Sequence, residues 1–158
     1  MKQNARQVAI SGIVAAVYLA VTLTPGINTF SYGMVQFRIA EALTVLPFLY
    51  SGAIFGLFIG CFLANLFGPA GIQDAILGSL LTLIAAWFTW VLRKTKKAYL
   101  APIPPIVINA VGVSAYLHSF FGEPYWLFVG WIALGQAAVC YGLGYPLLLA
   151  LIAREKRF

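Results

Sequence analysis

Two oppositely charged residues lie inside a stretch of sequence that is otherwise largely apolar. Arg38 and Glu41 are three residues apart, so a helix would place their side chains on the same face. Burying such charges is costly unless they are paired or bind something. One interpretation is a mutual ion pair that neutralises both groups. The other is that Glu41 contacts a ligand while Arg38 orients it, and the spacing is compatible with both.

Other polar and aromatic residues could complete a binding site around this pair. Asn65, Asp74 and Asn109 supply hydrogen-bonding groups, although a helix cap or an interhelical hydrogen bond explains each one singly. Aromatic residues could stack on a flat heterocycle or form an interfacial belt. The candidate substrate-binding residues are therefore Arg38, Glu41, Asn65, Asp74, Asn109, Tyr116, Glu123, Trp126 and Trp131.

Sequence motifs typical of enzymes are absent. The chain contains no Ser/His/Asp set, HExxH, P-loop or GxGxxG sequence. Cys61 and Cys140 do not form a CxxC pair, and one histidine, His118, is too few for a metal site, so both cysteines are interpreted as buried small side chains. We therefore expect a protein that is not an enzyme and has no cofactor or metal. Any uphill transport would need a partner or an ion gradient.

Composition places the chain in a membrane. Hydrophobic residues make up 62% of its 158 residues, charged residues make up 9%, and the mean hydropathy is +0.92. A soluble domain has about 25% charged residues, so lipid is the solvent that suits this chain. The formal charge of +6 is attributed to cytoplasmic loops beside anionic membrane lipid. No basic stripe alternates with aromatic residues, so nucleic acid is not expected as a partner.

Apolar runs separated by turn residues predict an all-α membrane protein. We expect a six-transmembrane-helix bundle that forms one domain over residues 1–158. The second span is the weakest, because it contains Arg38, Glu41 and Pro47. The predicted spans cover approximately residues 8–23, 36–50, 52–67, 74–92, 105–116 and 126–153.

The distribution of basic residues predicts the orientation. Nine of the ten Lys and Arg residues lie in the N-terminal tail, the 93–97 loop and the C-terminal tail, which should therefore share the cytoplasm. Four spans then precede that loop and two follow it, giving a multi-pass protein of the cell membrane with both termini cytoplasmic. The rival count has two spans before the loop, with residues 24–70 forming one span and a re-entrant segment. Six spans place four charged residues on or near the external side: Arg38, Glu41, Asp74 and Glu123.

Small residues recur at every fourth position in two of the spans. Gly12, Ala16 and Ala20 form such a row in the first span, and residues 52, 56, 60, 64 and 68 form another in the third. Rows of this kind let another helix approach closely. For the third span we expect packing within the bundle. For the first span, packing within the bundle and docking to another subunit are both open.

The charged stretch resembles a known family. Residues 36–47, which read Gln-Phe-Arg-Ile-Ala-Glu-Ala-Leu-Thr-Val-Leu-Pro, together with residues 60–65 and Asp74 with Gly78, are similar to the QueT family of substrate-binding (S) subunits of energy-coupling-factor (ECF) transporters. The resemblance extends over essentially the whole chain. It implies six helices, uptake of a queuosine precursor such as queuine or preQ1, and a partner module of one transmembrane T subunit and two ATPase subunits. It also implies that Ala16 and Ala20 meet the T subunit.

The ligand that the resemblance implies suits the candidate residues. A 7-deazaguanine has an N1–H and an exocyclic amine on one edge, and a single carboxylate can accept both. An alkylamine on the precursor requires a second carboxylate, and Glu41 and Asp74 are the first choices. Two other classes remain open: an ion-coupled solo transporter, against which no internal inverted repeat is visible, and a structural or assembly membrane protein.

Overall fold

Helices form all the regular structure in the computed structural model, which describes residues 2–25, 37–68 and 71–155. Within these ranges the helices α1 to α6 are Lys2–Leu23, Ile39–Phe48, Ala53–Leu66, Gly71–Leu92, Ile103–Phe121 and Tyr125–Glu155. Two short 3₁₀ turns, Arg93–Thr95 and Ala98–Leu100, connect α4 to α5. The predicted all-helical class is thus confirmed. Gln36, most of the segment 24–37, and the basic residues Lys156 and Arg157 lie outside the described residues.

The helices differ in how much of a membrane they can cross. Four stretches are long and apolar enough to span it: Asn4–Leu23, Gly71–Thr95, Ala98–Ser119 and Tyr125–Glu155. Helices α2 and α3 have only 10 and 14 residues. With a rise of about 2.0 Å per residue in a 3₁₀ helix and about 1.5 Å in an α-helix, each is about 20 Å long, against a hydrocarbon core of about 30 Å. The described residues therefore contain four candidate full-length spans, and the crossing of the membrane by α2 and α3 stays a prediction.

The bundle has polar residues inside and large apolar residues outside. Arg38, Asp74 and Gln136 are among the buried side chains, whereas Phe55, Leu134 and many other apolar side chains are exposed. A soluble protein has the opposite tendency, since its charged groups are almost never fully buried unless paired. A surface of this kind suits lipid, and polar groups at membrane depth are candidates for function.

Helix α2 lies in the middle of the bundle and has 3₁₀ geometry. It contacts α1, α3, α4 and α6, and eight of its ten residues are buried. Pro47 lies inside it and has no N–H to donate, which disfavours a regular α-helix. Side chains three residues apart eclipse one another in a 3₁₀ helix, so Arg38 at the N-cap, Glu41 and Thr44 form one buried row. This geometry directs both charges into the centre of the bundle.

Glycines allow α3 to lie directly against α1. A Cβ atom added at Gly56 would be 2.6 Å from the carbonyl oxygen of Ser11, and one at Gly60 would be 2.8 Å from the Cβ of Tyr18. The hydroxyl of Ser11 also donates to the carbonyl oxygen of Gly52 at 2.5 Å. The structure therefore supports the interpretation that the small residues of the third span serve packing within the bundle.

Helix α6 contains one wide turn where it passes α2. Cys140–Gly144 has π-helical geometry and separates two α-helical parts, Tyr125–Val139 and Tyr145–Glu155. A Cβ at Gly144 would lie 2.8 Å from the carbonyl oxygen of Ala42, so the two backbones are close. The sulfur of Cys140 lies 3.5 Å from the carbonyl oxygen of Glu41. The wide turn thus brings α6 next to the charged row of α2, as π-bulges often do at functional sites.

The orientation of the bundle can be tested by labelling two exposed positions, Gln73 at the start of α4 and Thr95 in the basic loop. With a membrane-impermeant maleimide on intact cells, Gln73→Cys should label at once and Thr95→Cys only after permeabilisation. The unmodified chain is the control, because Cys61 and Cys140 are both buried and should not react. Labelling of both variants from outside would contradict the predicted topology.

Candidate functional site

The centre of the bundle holds a cluster of hydrogen-bonded polar side chains. Arg38, Glu41 and Asp74 are only 5%, 2% and 2% exposed. Arg38 and Glu41 come from the row on α2, and Asp74 comes from the first turn of α4. A negative charge in the first turn also stabilises the helix through its dipole. Helix α3 adds Asn65 near its C-terminal end, and α5 adds Asn109 and Tyr116. Six of the nine predicted binding residues are thus brought together.

Arg38 joins α2 to α3 and α4. Its Nη1 donates to Oδ1 of Asn65 at 2.8 Å, and its Nη2 donates to Oδ2 of Asp74 at 3.1 Å. The second contact is also a salt bridge. The ion pair therefore joins Arg38 to Asp74 and not to Glu41, as one of the two interpretations of the sequence had it. Asp74 lies on a different helix, 36 residues further along the chain.

Besides Arg38, two further side chains hold Asp74. The hydroxyl of Tyr116 donates to Oδ1 of Asp74 at 2.5 Å, and the side-chain nitrogen of Asn65 donates to the carbonyl oxygen of Asp74 at 3.0 Å. These groups converge over Gly78, where an added Cβ would lie 2.7 Å from both Nδ2 of Asn65 and Oδ1 of Asp74. Gly78 therefore makes room for the side chains that surround Asp74.

Glu41 is held by groups from three other helices. The hydroxyl of Tyr18 on α1 donates to Oε1, and Nδ2 of Asn109 on α5 donates to Oε2 at 3.3 Å. The side chain of Gln136 on α6 lies near the Glu41 carboxylate. The carbonyl oxygen Oδ1 of Asn109 is buried and has no hydrogen-bond partner among the described residues. An acceptor without a donor therefore lies beside the Glu41 carboxylate.

The cluster has an excess of negative formal charge. Arg38 carries one positive charge, and Glu41 and Asp74 each carry one negative charge when ionised, so the three sum to −1. Isolated charges inside a bilayer are costly, and such groups pair with one another or mark a path for a ligand or an ion. This cluster is therefore suited to a ligand that is cationic or rich in hydrogen-bond donors.

A pocket of about 340 Å³ lies at the end of the bundle that the charge distribution assigns to the external side. It is lined by Gln73, Ala115, Tyr116 and Ser119. Tyr116 links the pocket to the cluster, since it lines the pocket and its hydroxyl donates to Asp74. A ligand entering from this side would meet Tyr116 first and the buried carboxylates behind it.

Three predicted binding residues lie away from this hydrogen-bonded network. Trp126 is 76% exposed and packs edge-to-face on Tyr125, with ring centroids 4.9 Å apart. Trp131 packs edge-to-face on Phe128. Glu123 lies in the turn between α5 and α6. Their roles in binding stay predictions, and for Trp126 the exposure is typical of an interfacial aromatic belt.

Two members of the cluster were not predicted from the sequence, Tyr18 and Gln136. Each is a polar group in the middle of an apolar span, and each contacts Glu41. The signal was available, because a polar side chain at membrane depth is unusual in itself. Cys140 also borders the cluster, since its sulfur lies 3.6 Å from both Oγ1 of Thr44 and Oε1 of Gln136.

No group of three or more His, Cys, Asp or Glu able to hold a metal ion occurs in the described ranges.

The predicted docking residues form an open face on α1. Gly12, Ala16 and Ala20 are all exposed, and a Cβ at Gly12 would meet nothing within 4 Å. Tyr18 lies on the other side of the same helix and is fully buried. Packing within the bundle therefore uses a different face of α1, and the row of small residues is left accessible.

Comparison with known proteins gives one family and one similar protein. A family model described as QueT transporter matches residues 8–153 of the chain. A protein of Lactococcus lactis subsp. cremoris named Queuosine precursor transporter QueT is 36% identical over 83 residues, which are 52% of this chain and 48% of the relative. The match thus spans about half the length of that relative. No solved structure matches the chain.

Gly78→Ala should loosen the cluster, because the added methyl group would displace Asn65 or Asp74. Forced overpacking of this kind costs about 1–3 kcal/mol of unfolding free energy, which detergent-solubilised protein would show as a lower unfolding temperature. Gly130→Ala is the matched control, since nothing lies within 4 Å of a Cβ at that position. Equal stability of the two variants would contradict the close approach at Gly78.

Proposed function

Because the chain belongs to the QueT transporter family, we propose that it is the substrate-binding S subunit of an ECF transporter in the cell membrane. The proposed ligand is a queuosine precursor, meaning a 7-deazaguanine such as queuine or preQ1, taken up from the external side. The similar Lactococcus protein is named as a transporter of queuosine precursors, which supports the same ligand class here.

The observation that carries this proposal is the buried cluster with its excess of acceptors. Two carboxylates and one guanidinium are buried together, with only Asp74 paired to Arg38, and the amide oxygen of Asn109 has no donor among the described residues. Buried polar groups without partners are costly, so a ligand that supplied donors and a positive charge would gain binding energy here. A 7-deazaguanine with an alkylamine supplies both.

Glu41 is proposed to bind the guanine-like edge of the ligand. A carboxylate has about four lone-pair positions, of which Tyr18 and Asn109 each use one. The remaining positions can accept the ligand's N1–H and exocyclic amine together, in the bidentate manner seen with arginine. The orphan oxygen of Asn109 can accept a further hydrogen from the exocyclic amine.

Asp74 is proposed to balance the alkylamine of the precursor. It lies closer to the external pocket than Glu41 does, because it bonds Tyr116 of the pocket wall. The alkylamine of a bound precursor would then extend towards the pocket, with the ring below it. Arg38 would keep Asp74 in place through the salt bridge, so that the two carboxylates stay apart and bind different parts of the ligand.

The open face of α1 is proposed to dock the T subunit, and two ATPases would complete the transporter. This chain has no P-loop, so hydrolysis of ATP must come from other subunits if ATP drives uptake. The exposed row of Gly12, Ala16 and Ala20 is flat enough for close approach of another helix.

Glu41→Gln should weaken binding of preQ1, because it places an amide donor against the donors of the ligand. Losing a charge-assisted hydrogen bond costs about 1.5–3 kcal/mol, or roughly 10- to 150-fold in affinity. Titration calorimetry on purified protein measures this. Glu155→Gln is the matched control, since Glu155 is the exposed last residue of α6. Unchanged affinity in folded Glu41→Gln protein would remove Glu41 from ligand recognition.

Ala16→Trp and Ala20→Trp should abolish uptake in cells while leaving ligand binding by the purified subunit near normal. A bulky side chain on the open face would hold a partner helix away, whereas the cluster lies on the other side of α1. Ala138→Trp, at an exposed position of α6, is the control and should transport normally. Normal uptake by both α1 variants would reject the docking face, and with it one support for an ECF partner.

A further inference from the structure

A groove of about 840 Å³ runs between α1, α3 and α4 at the opposite end of the bundle from the candidate ligand site. Its volume lies within the range of about 300–1,000 Å³ that is usual for small-molecule sites. The apolar floor is formed by side chains from all three helices: Val8, Ile54, Phe55, Leu83, Ile84, Trp87 and Phe88. Along α4 alone, residues 83–90 give the groove a length of about 10 Å.

One end of the groove is polar and basic. Trp90 lines it, and the indole Nε1 of Trp90 is buried without a hydrogen-bond acceptor among the described residues. The guanidinium of Arg93 lies 4.7 Å from the centroid of the Trp90 ring. On the opposite wall Gln7 accepts from the backbone N–H of Gly52 at 2.6 Å and from the hydroxyl of Ser51 at 3.2 Å. The indole and guanidinium donors thus lie at the end of the floor, close to the polar Gln7.

The net charge around this end is positive. Arg6 precedes Gln7 and lies over the ring of Tyr50, at 6.0 Å from its centroid. The side chains of Glu155 and Arg154 lie near Tyr50 as well. Together with Arg93 the neighbourhood therefore carries three cations and one acid. A buried N–H without an acceptor among the described residues, beside the exposed guanidinium of Arg93, is suited to the oxygen atoms of a phosphate group.

We propose that this groove is a binding site for one anionic phospholipid. An acyl chain lies along the apolar floor towards the middle of the membrane. The phosphate lies at the basic end, where Nε1 of Trp90 and the guanidinium of Arg93 donate to its oxygens. The basic residues place this end at the cytoplasmic surface of the membrane, which is the depth at which a phosphate group of the inner leaflet lies.

A phospholipid suits the groove better than a helix of another protein does. The open row of small residues on α1 is the feature that favours helix docking, whereas the groove has large side chains on its floor and a single buried donor at one end. Anionic lipid also matches the local charge, since each Lys or Arg near such a surface strengthens binding by about fivefold.

Native mass spectrometry on the purified full chain tests the proposal. The delipidated protein is titrated with dioleoyl phosphatidylglycerol and with dioleoyl phosphatidylcholine, which share acyl chains and differ in headgroup charge. We expect the first lipid to bind about fivefold or more tightly than the second. Trp90→Phe, which keeps an aromatic ring but removes the N–H, should weaken binding of phosphatidylglycerol roughly two- to tenfold. Binding of phosphatidylcholine should change less.

Matched variants distinguish binding of the lipid at a specific site from general attraction of anionic lipid to a basic surface. Arg93→Gln should lose most of the preference for phosphatidylglycerol, whereas Lys94→Gln, the same change of charge one residue away, should keep it. Trp126→Phe, at the other end of the bundle, should have no effect. Equal affinity for the two lipids in the unmodified chain, or equal effects of Arg93→Gln and Lys94→Gln, would overturn the proposal. Loss of the bound lipid when partner subunits assemble would assign the groove to a protein instead.

Discussion

The rest of the structure depends on how one arginine is accommodated inside an apolar bundle. Arg38 stays protonated at any relevant pH, so its burial requires partners in fixed positions. Asn65 and Asp74 are those partners, at 2.8 and 3.1 Å, and they lie at the end of α3 and the start of α4. Removing one partner of a buried ion pair typically costs about 3–5 kcal/mol. The position of α2 relative to α3 and α4 is therefore set by this contact as much as by apolar packing.

A second layer of contacts extends the constraint to the remaining helices. Glu41 stands one 3₁₀ turn below Arg38 and is reached by Tyr18 from α1, Asn109 from α5 and Gln136 from α6. Helix α1 thus has two functions on two faces: Tyr18 contacts the cluster, and the small residues on the other side are exposed. A movement of Glu41 on ligand binding would act on Tyr18, which belongs to the same helix as the proposed docking residues.

The sequence predicted the all-helical class and the number of helices, because composition and apolar runs record these directly. The orientation of the bundle in the membrane stays a prediction. It did not predict that Asp74 pairs with Arg38, because the spacing of three offered only Glu41 as a partner and the packing of α2 against α4 is what brings Asp74 to 3.1 Å. Span lengths were also misjudged: α2 is a short 3₁₀ helix, while α5 extends over Ile103–Phe121 and not 105–116. Tyr18 and Gln136 were overlooked because neither is charged, although each contacts Glu41.

The central claim is that a buried cluster with formal charge −1 selects a cationic 7-deazaguanine. The most direct test compares two ligands on the unmodified protein by titration calorimetry: preQ1, which carries an aminomethyl cation, and 7-deazaguanine, which presents the same ring edge without the amine. The account predicts that preQ1 binds about tenfold or more tightly, since a hydrogen bond to a charged group contributes about 1.5–3 kcal/mol. Equal affinity for the two ligands would contradict it.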